Sequence, residues 1–157
     1  MSWTFVRPRD GALLRARPLL DIGTGDGQTL HALVDDPSGV VAVDRSTKLL
    51  TPGNVGADVA ALPFADGSFR AVLAADLLHH VGDLDGAFAE IARVLRPDGV
   101  FVAWWYEDAP HDAPDAPRFP RTYEEVAAYA PFSEVGPLDL EVVLPGGPAT
   151  VGLVARR

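Results

Sequence analysis

The 157-residue chain has no cysteine and a single lysine, Lys48. Without cysteine it forms no disulfide, carries no catalytic thiol and offers no thiolate zinc site. Positive charge is scarce throughout: 13 lysines and arginines stand against 22 aspartates and glutamates, a formal net charge of −9. Tracking a nucleic-acid backbone or docking on an anionic membrane surface depends on clustered cations, so neither partner is expected. No apolar run approaches the roughly 20 residues that a membrane-spanning helix needs. The opening Met1–Pro8 lacks the apolar centre of a signal peptide. The expectation is a cytoplasmic protein. Hydrophobic residues make up 48% of the chain, enough to build a core at a length typical of one domain.

What the chain does have is concentrated at Leu19-Leu20-Asp21-Ile22-Gly23-Thr24-Gly25-Asp26-Gly27. A short apolar run of this kind reads as a buried parallel strand. It ends in an acid and passes into three glycines at alternate positions, which let the backbone turn sharply and approach a ligand closely. Two nucleotide-binding patterns fail here. The dinucleotide fingerprint wants glycines at positions one, three and six, but position six is Gln28. A phosphate-binding loop would need Gly-Lys-Ser/Thr after the turn, and none follows. Asp26 is expected to have no ligand role.

Strands and helices alternate from 19 to 106. Strands are expected at Leu19–Ile22, Val40–Val43 closing on Asp44, Val55–Val59, Arg70–Ala75 and Val100–Tyr106. A helix is expected over Gly27–Val34 and little more than a turn over Arg45–Leu50, before the break at Pro52-Gly53-Asn54. Asp83 is a suitable N-cap for a helix reaching about Leu95, with Leu84, Phe88, Ile91 and Leu95 on one face. Pro97-Asp98-Gly99 should end it. The pattern describes one domain: a lead-in (1–18) with a helical turn near Leu13–Arg17, an α/β core (19–106), a proline-rich loop (107–121) and a C-terminal helix and hairpin (122–157). Thr122-Tyr123-Glu124-Glu125 is a capping box. The hairpin would join Leu138–Leu144 to Thr150–Ala155 through Pro145-Gly146-Gly147-Pro148. Alternating strands and helices predict a mostly parallel sheet, with the ligand at the carboxyl ends of its strands. In the proline-rich stretch, where Asp-Ala-Pro occurs three times, His111 lies among Asp108, Asp112 and Asp115. Their spacing matches no metal-ligand pattern, so a solvated acidic loop is expected and no metal.

Asp21-x-Gly23-x-Gly25-x-Gly27, with Asp44 at the end of the second strand, resembles the class I S-adenosylmethionine (SAM) methyltransferases. Three later segments resemble that family's landmarks in order and spacing: Ala57–Phe69, Leu77–Val81 and Ala92–Val100. The resemblance spans about residues 19–106. It implies a Rossmann-like, doubly wound fold in three layers, α/β/α, and SAM as cofactor. SAM presents a ribose diol, an adenine, an amino acid end and a sulfonium cation but no phosphate, so carboxylates rather than cations should line its site. By the same resemblance Asp44, with Arg45 beside it, meets the ribose hydroxyls. Asp58 accepts from the adenine amino group and the Val59 amide meets a ring nitrogen. Gly23 and Gly25 pass the amino acid end, which Asp21 orients, and backbone near Ala74 faces the methionine portion.

Asp76-x-x-x-His80 resembles a segment with substrate-binding and catalytic roles in phosphoethanolamine methyltransferases. Asp76, His79 and His80 are therefore the catalytic candidates, the alternative being that the histidines pack or cap the next helix. Trp104, Trp105 and Tyr106 end a strand and either wall an acceptor pocket or fill the core. The chain departs from the family in carrying Arg70 after Phe69, in the short segment between Asp44 and Asp58, and in a lead-in too short for a helical lid. A reduced cap and an open acceptor side follow, to be completed by a partner chain or a second copy if at all. The expected activity is methyl transfer to O or N of a small metabolite or natural-product intermediate. The alternatives are a SAM-binding module without catalysis and a protein methyltransferase. An RNA acceptor is disfavoured by the acidity.

Overall fold

A computed structural model describes residues 5–46, 54–107, 119, 121–147 and 149–157. The expected turn at Arg45–Leu50 and its break at Pro52-Gly53, the interior of the proline-rich stretch with His111, and Pro148 of the expected hairpin lie wholly or largely outside them. The elements run β1 (Phe5–Pro8), a 3₁₀ turn (Gly11–Leu14), β2 (Leu19–Ile22), α1 (Gln28–Leu33), β3 (Val40–Asp44), β4 (Val55–Gly56), β5 (Phe69–Ala75), a second 3₁₀ turn (Leu78–His80), α2 (Leu84–Val94), β6 (Leu95–Tyr106), α3 (Tyr123–Tyr129), β7 (Glu134–Pro137), β8 (Leu140–Leu144) and β9 (Thr150–Arg156).

Seven strands form one sheet in the order β4-β3-β2-β5-β6-β9-β7. The first five are mutually parallel, while β9 runs antiparallel to both β6 and β7. From β2 the chain winds one way to β3 and β4 and later returns on the other side as β5. That reversal between β2 and β5 opens a crevice at their carboxyl ends. Side-chain parity along the strands separates two cores. Leu20, Ile22, Val72, Phe101, Ala103 and Trp105 face α2 and α3, which bring Phe88, Ile91 and Val126. Leu19, Leu73, Val102 and Trp104 face the other way, against Val6, Leu14 and the Leu30 and Leu33 side chains of α1. Both tryptophans are fully buried and so belong to the core rather than to an acceptor pocket. Each large side chain buried in this way contributes about 1.5–3 kcal/mol.

Local chemistry explains the helices. Asp83 Oδ1 accepts from the Gly86 amide at 2.9 Å, capping α2 as expected. Leu84, Ala87, Phe88, Ile91 and Val94 form its buried stripe. Thr122 and Glu125 make a reciprocal capping box on α3.

The C-terminal hairpin is corrected. β9 has both edges filled, by β6 and β7, so β8 is left to pair antiparallel with β1 in a separate two-stranded ribbon. The antiparallel part of the main sheet is therefore β6-β9-β7, and the lead-in contributes a strand. Two exposed ion pairs, Arg7–Glu141 at 2.7 Å and Arg9–Asp139 at 3.1 Å, help align the ribbon but add little stability at such exposure. The lead-in turn falls at Gly11–Leu14 rather than Leu13–Arg17. Pro97-Asp98-Gly99 lies inside β6, where Asp98 takes φ +64°. β4 is cut to two residues because Asp58 already starts a turn, its Oδ1 accepting from the Ala60 amide at 2.9 Å.

Candidate functional site

The loop after β2 needs its glycines. Gly23, Gly25 and Gly27 have φ of +74°, +56° and +83°, a region that side chains with a Cβ rarely adopt. At Gly23 space is also closed: a Cβ there would sit 2.8 Å from Leu77 Cδ1. The loop is anchored on β3, since the Gly23 and Thr24 amides both donate to the Val43 carbonyl, at 2.8 and 3.1 Å. Asp44 then ties the loop to the strand tip. Its Oδ2 accepts from the Gly25 amide at 2.8 Å and its Oδ1 from the Ser46 amide at 2.7 Å. A carboxylate has about four acceptor positions, so two remain for a ligand diol.

Opposite this loop, Asp58 and Val59 stand just past β4. The segment that follows them is held by an ionic knot in which Arg93 binds Glu90 at 2.8 Å and Asp66 at 2.9 Å. Arg93 also donates to the Leu62 and Phe64 carbonyls, and Glu90 accepts from the Leu62 amide. The Arg93 hydrogen bond holds the Glu90 carboxyl below its ordinary pKa, so the knot stays charged at neutral pH.

At the tip of β5, Asp76 takes φ +54°, uncommon outside glycine and tolerated best by Asp and Asn. Its amide donates to the Trp104 carbonyl at 2.8 Å. Its Oδ1 is buried without a hydrogen-bond partner. Burial lifts the Asp76 carboxyl from 3.8 to about 7, because a charged carboxylate loses its hydration there. Asp21, 4% exposed, is raised to about 7 as well, mainly by burial and further by the Asp44 charge, with Thr24 pulling the other way.

These tips enclose a cleft of about 800 Å³ lined by Gly23, Asp44, Arg45, Asp58, Val59, Asp76 and His80. The expected residues Asp44, Arg45, Asp58, Val59, Gly23, Asp76 and His80 thus come together. Gly25 reaches the site through Asp44. Asp21 and Ala74 do not line the cleft: Asp21 is buried beneath the loop, and Ala74 lies wholly inside β5, two residues short of the tip. His79 is 2% exposed. Its Nδ1 accepts from the Tyr106 amide at 3.4 Å and its ring lies 5.3 Å from the Tyr106 ring, so it packs against the end of β6. Leu77, Ser46 and Gly82 also line the cleft and were not expected; for Leu77 the signal was its place directly after the strand-tip acid. Asp83 lines it too, in addition to capping α2. Among the described residues no three His, Asp or Glu side chains gather as a metal set, and no helix is long and apolar enough to cross a membrane.

The lining tests what can be held. Four acids (Asp44, Asp58, Asp76, Asp83) face one arginine, Arg45, in the cleft. That set suits a cationic nucleoside with a free ribose diol and opposes a pyrophosphate.

A family model described as "Methyltransferase domain" matches residues 20–103. Together with this fold and site, it shows that the chain belongs to the class I SAM-dependent methyltransferase family. The demethylmenaquinone methyltransferase of Beutenbergia cavernae is 36% identical over 108 residues, covering 62% of this chain and 45% of that protein. The mitochondrial arginine-hydroxylase NDUFAF5 of Mus musculus is 37% identical over 92 residues, covering 53% of this chain and 27% of that protein. The chain spans less than half the length of these curated relatives. Among solved structures, the Burkholderia thailandensis 1,6-didemethyltoxoflavin-N1-methyltransferase, with bound 1,6-didemethyltoxoflavin and S-adenosylhomocysteine, is 27% identical with a TM-score of 0.69, covering 94% of this chain and 76% of that one. A SAM-dependent methyltransferase from Mesorhizobium loti, 20% identical with a TM-score of 0.69 and covering 90% and 91% of the two chains, shares the fold.

Proposed function

We propose that the chain binds SAM in the cleft at the carboxyl ends of β2, β3 and β5 and transfers its methyl group to an oxygen or nitrogen of a small acceptor. The observation that carries this reading is the Asp44 carboxylate, which bridges the left-handed glycine loop and the β3 tip while keeping acceptor capacity toward the cleft. When bound, SAM supplies an electrophilic methyl group on a good sulfide leaving group. Asp44 takes the ribose hydroxyls, with Arg45 alongside. Asp58 and the Val59 backbone take the adenine edge, while Gly23, which lines the cleft with backbone alone, passes the amino acid end.

On the acceptor side, Asp76 is the group whose chemistry fits. Its carboxyl, half-buried in the cleft lining, would accept a hydrogen bond from an acceptor O–H or N–H. A carboxyl with its pKa near neutrality can take that proton as the new bond forms. His80 is the second base within the same lining. Methylation of a small molecule at nitrogen is supported by the similar 1,6-didemethyltoxoflavin-N1-methyltransferase, whose structure holds 1,6-didemethyltoxoflavin. Acceptor and enzyme would meet in the cytoplasm, consistent with an acidic chain that has no cation cluster in its sequence for membrane or nucleic acid.

The test is calorimetric titration of S-adenosylhomocysteine into the wild type and Asp44→Ala. The wild type should bind in the micromolar range. Removing two charge-assisted hydrogen bonds should weaken binding by about 30-fold or more. Equal affinity for the two proteins would reject the cleft assignment.

A further inference from the structure

We infer that Arg121 is a positioning residue that fixes the acceptor wall of the cleft by clamping the turn at 78–82. The inference rests on the methyl-transfer reading of that cleft. The turn carries His80, Val81 and Gly82 into the lining. It follows a strand tip and precedes an α-helix, so its carbonyls have few backbone partners of their own. Two residues from far along the chain supply them. The Arg121 guanidinium donates to the Leu78 carbonyl at 2.8 Å, to the Val81 carbonyl and to the Gly82 carbonyl at 3.4 Å. The Phe119 amide donates to the His79 carbonyl at 2.7 Å. Four of the five carbonyls in the turn are thereby bound by Phe119 and Arg121.

The clamp is itself held. Trp105 Nε1, at the buried end of β6, donates to the Arg121 carbonyl at 2.9 Å. The guanidinium carbon lies 5.0 Å from the Phe119 ring centroid, within cation–π range. That ring also covers Gly82, where an added Cβ would stand 3.3 Å from Phe119 Cζ. Burial pulls the Arg121 pKa below its ordinary value while Tyr129 and Glu125 oppose the shift, yet an arginine stays charged throughout the working range. Only a rigid, multi-donor fork fits this set of carbonyls. A lysine offers a point charge with mobile donors and would satisfy fewer of them. Arg121 does not line the cleft; the glycine loop and Asp44 are tied to the end of β3, and Asp58 to its own turn at Ala60 and Ala61. The clamp therefore governs the acceptor half and leaves the cofactor half alone.

The experiment compares the wild type, Arg121→Lys and Arg121→Ala in three measurements: S-adenosylhomocysteine affinity by calorimetry, amide hydrogen exchange, and the imidazole resonances of His79 and His80. Affinity should stay within about threefold in both variants, while exchange at 78–83 quickens about tenfold or more in Arg121→Ala and by less in Arg121→Lys. The two histidines should shift and broaden in Arg121→Ala, and millimolar guanidinium ion should restore them. Unchanged exchange at 78–83, loosening spread evenly over the sheet, or no rescue by guanidinium would overturn the clamp. Should Arg121→Ala not fold, the Lys variant still decides, because local loosening at 78–83 with retained affinity is required of it too. Failure of the wild type to bind S-adenosylhomocysteine would instead refute the function, and the exchange arms separate the two outcomes.

Discussion

Asp76→Asn separates the chemical role of this carboxyl from its structural cost. Burial lifts the carboxyl from 3.8 to about 7, so the folded protein holds this proton more tightly than the unfolded chain does. The sign follows from linkage. Below pH 4 the group is protonated in both states and has no effect. Between about 4 and 7 the unfolded chain releases the proton while the folded state keeps it, and stability falls as pH rises. Above 7 the penalty is complete. At about 1.4 kcal/mol per pH unit the full gap is worth about 4 kcal/mol, and water entering the open cleft reduces it to about 2–4 kcal/mol. Asn has the same shape, no charge, and a comparable tolerance of the left-handed backbone at φ +54°. Urea unfolding should therefore find the variant more stable than the wild type by about 2 kcal/mol or more at pH 8, with the advantage shrinking to about 1 kcal/mol or less near pH 4.5 and toward zero below pH 4. Any backbone or packing effect of the amide is the same at both pH values and cancels in the difference. Methyl transfer to an O–H or N–H acceptor should drop by about 100-fold or more if this carboxyl takes the proton. A stability difference that does not change with pH would refute the buried-charge argument, whatever happens to activity.

Gly23→Ala should cost about 1–2 kcal/mol, because φ +74° is strained for alanine and its Cβ meets Leu77. Adding Leu77→Ala should relieve the contact but not the backbone strain, so chemical denaturation should recover only part of the loss; full recovery would show that sterics alone demand glycine there. Asp83→Ala removes the cap on α2 and should lower stability by about 1 kcal/mol, measured by the shift in thermal midpoint, with Asp83→Ser restoring most of it.

Local signals placed the parts of the fold that build the cleft. β2, β3 and β5 are short apolar runs ending in Asp21-Ile22, Asp44 and Asp76, and each ends where its acid or glycine stops favouring a strand. Asp83 and the Thr122–Glu125 box marked helix starts because capping is a contact within four residues. The misplaced pieces are those decided at long range. β1 and β8 lie more than 130 residues apart, and no local pattern announces their pairing. The Pro145–Gly147 stretch resembles a hairpin turn, and only the occupied edges of β9 show that it is a crossing between two sheets. β7 was invisible because Gly136-Pro137 is poor strand sequence that an edge position tolerates.

The site divides along the same line. Gly23, Asp44 and Asp58 were legible as cleft-lining residues because each stands at or just past the end of a strand that the apolar runs mark; the roles proposed for them come from the family resemblance. His79 and His80 were not separable, since a 3₁₀ turn aims neighbouring side chains about 120° apart and spacing does not say which one faces the cleft. The structure turns His80 toward it and packs His79 against Tyr106. Arg121 was least legible of all, because its partners are carbonyls some 40 residues away, and carbonyls leave no mark on a sequence. The residues we propose for the cofactor thus lie on strand tips of a continuous α/β core, where local sequence is informative. The wall we propose for the acceptor is a turn whose carbonyls are bound by residues some 40 positions away, where it is not.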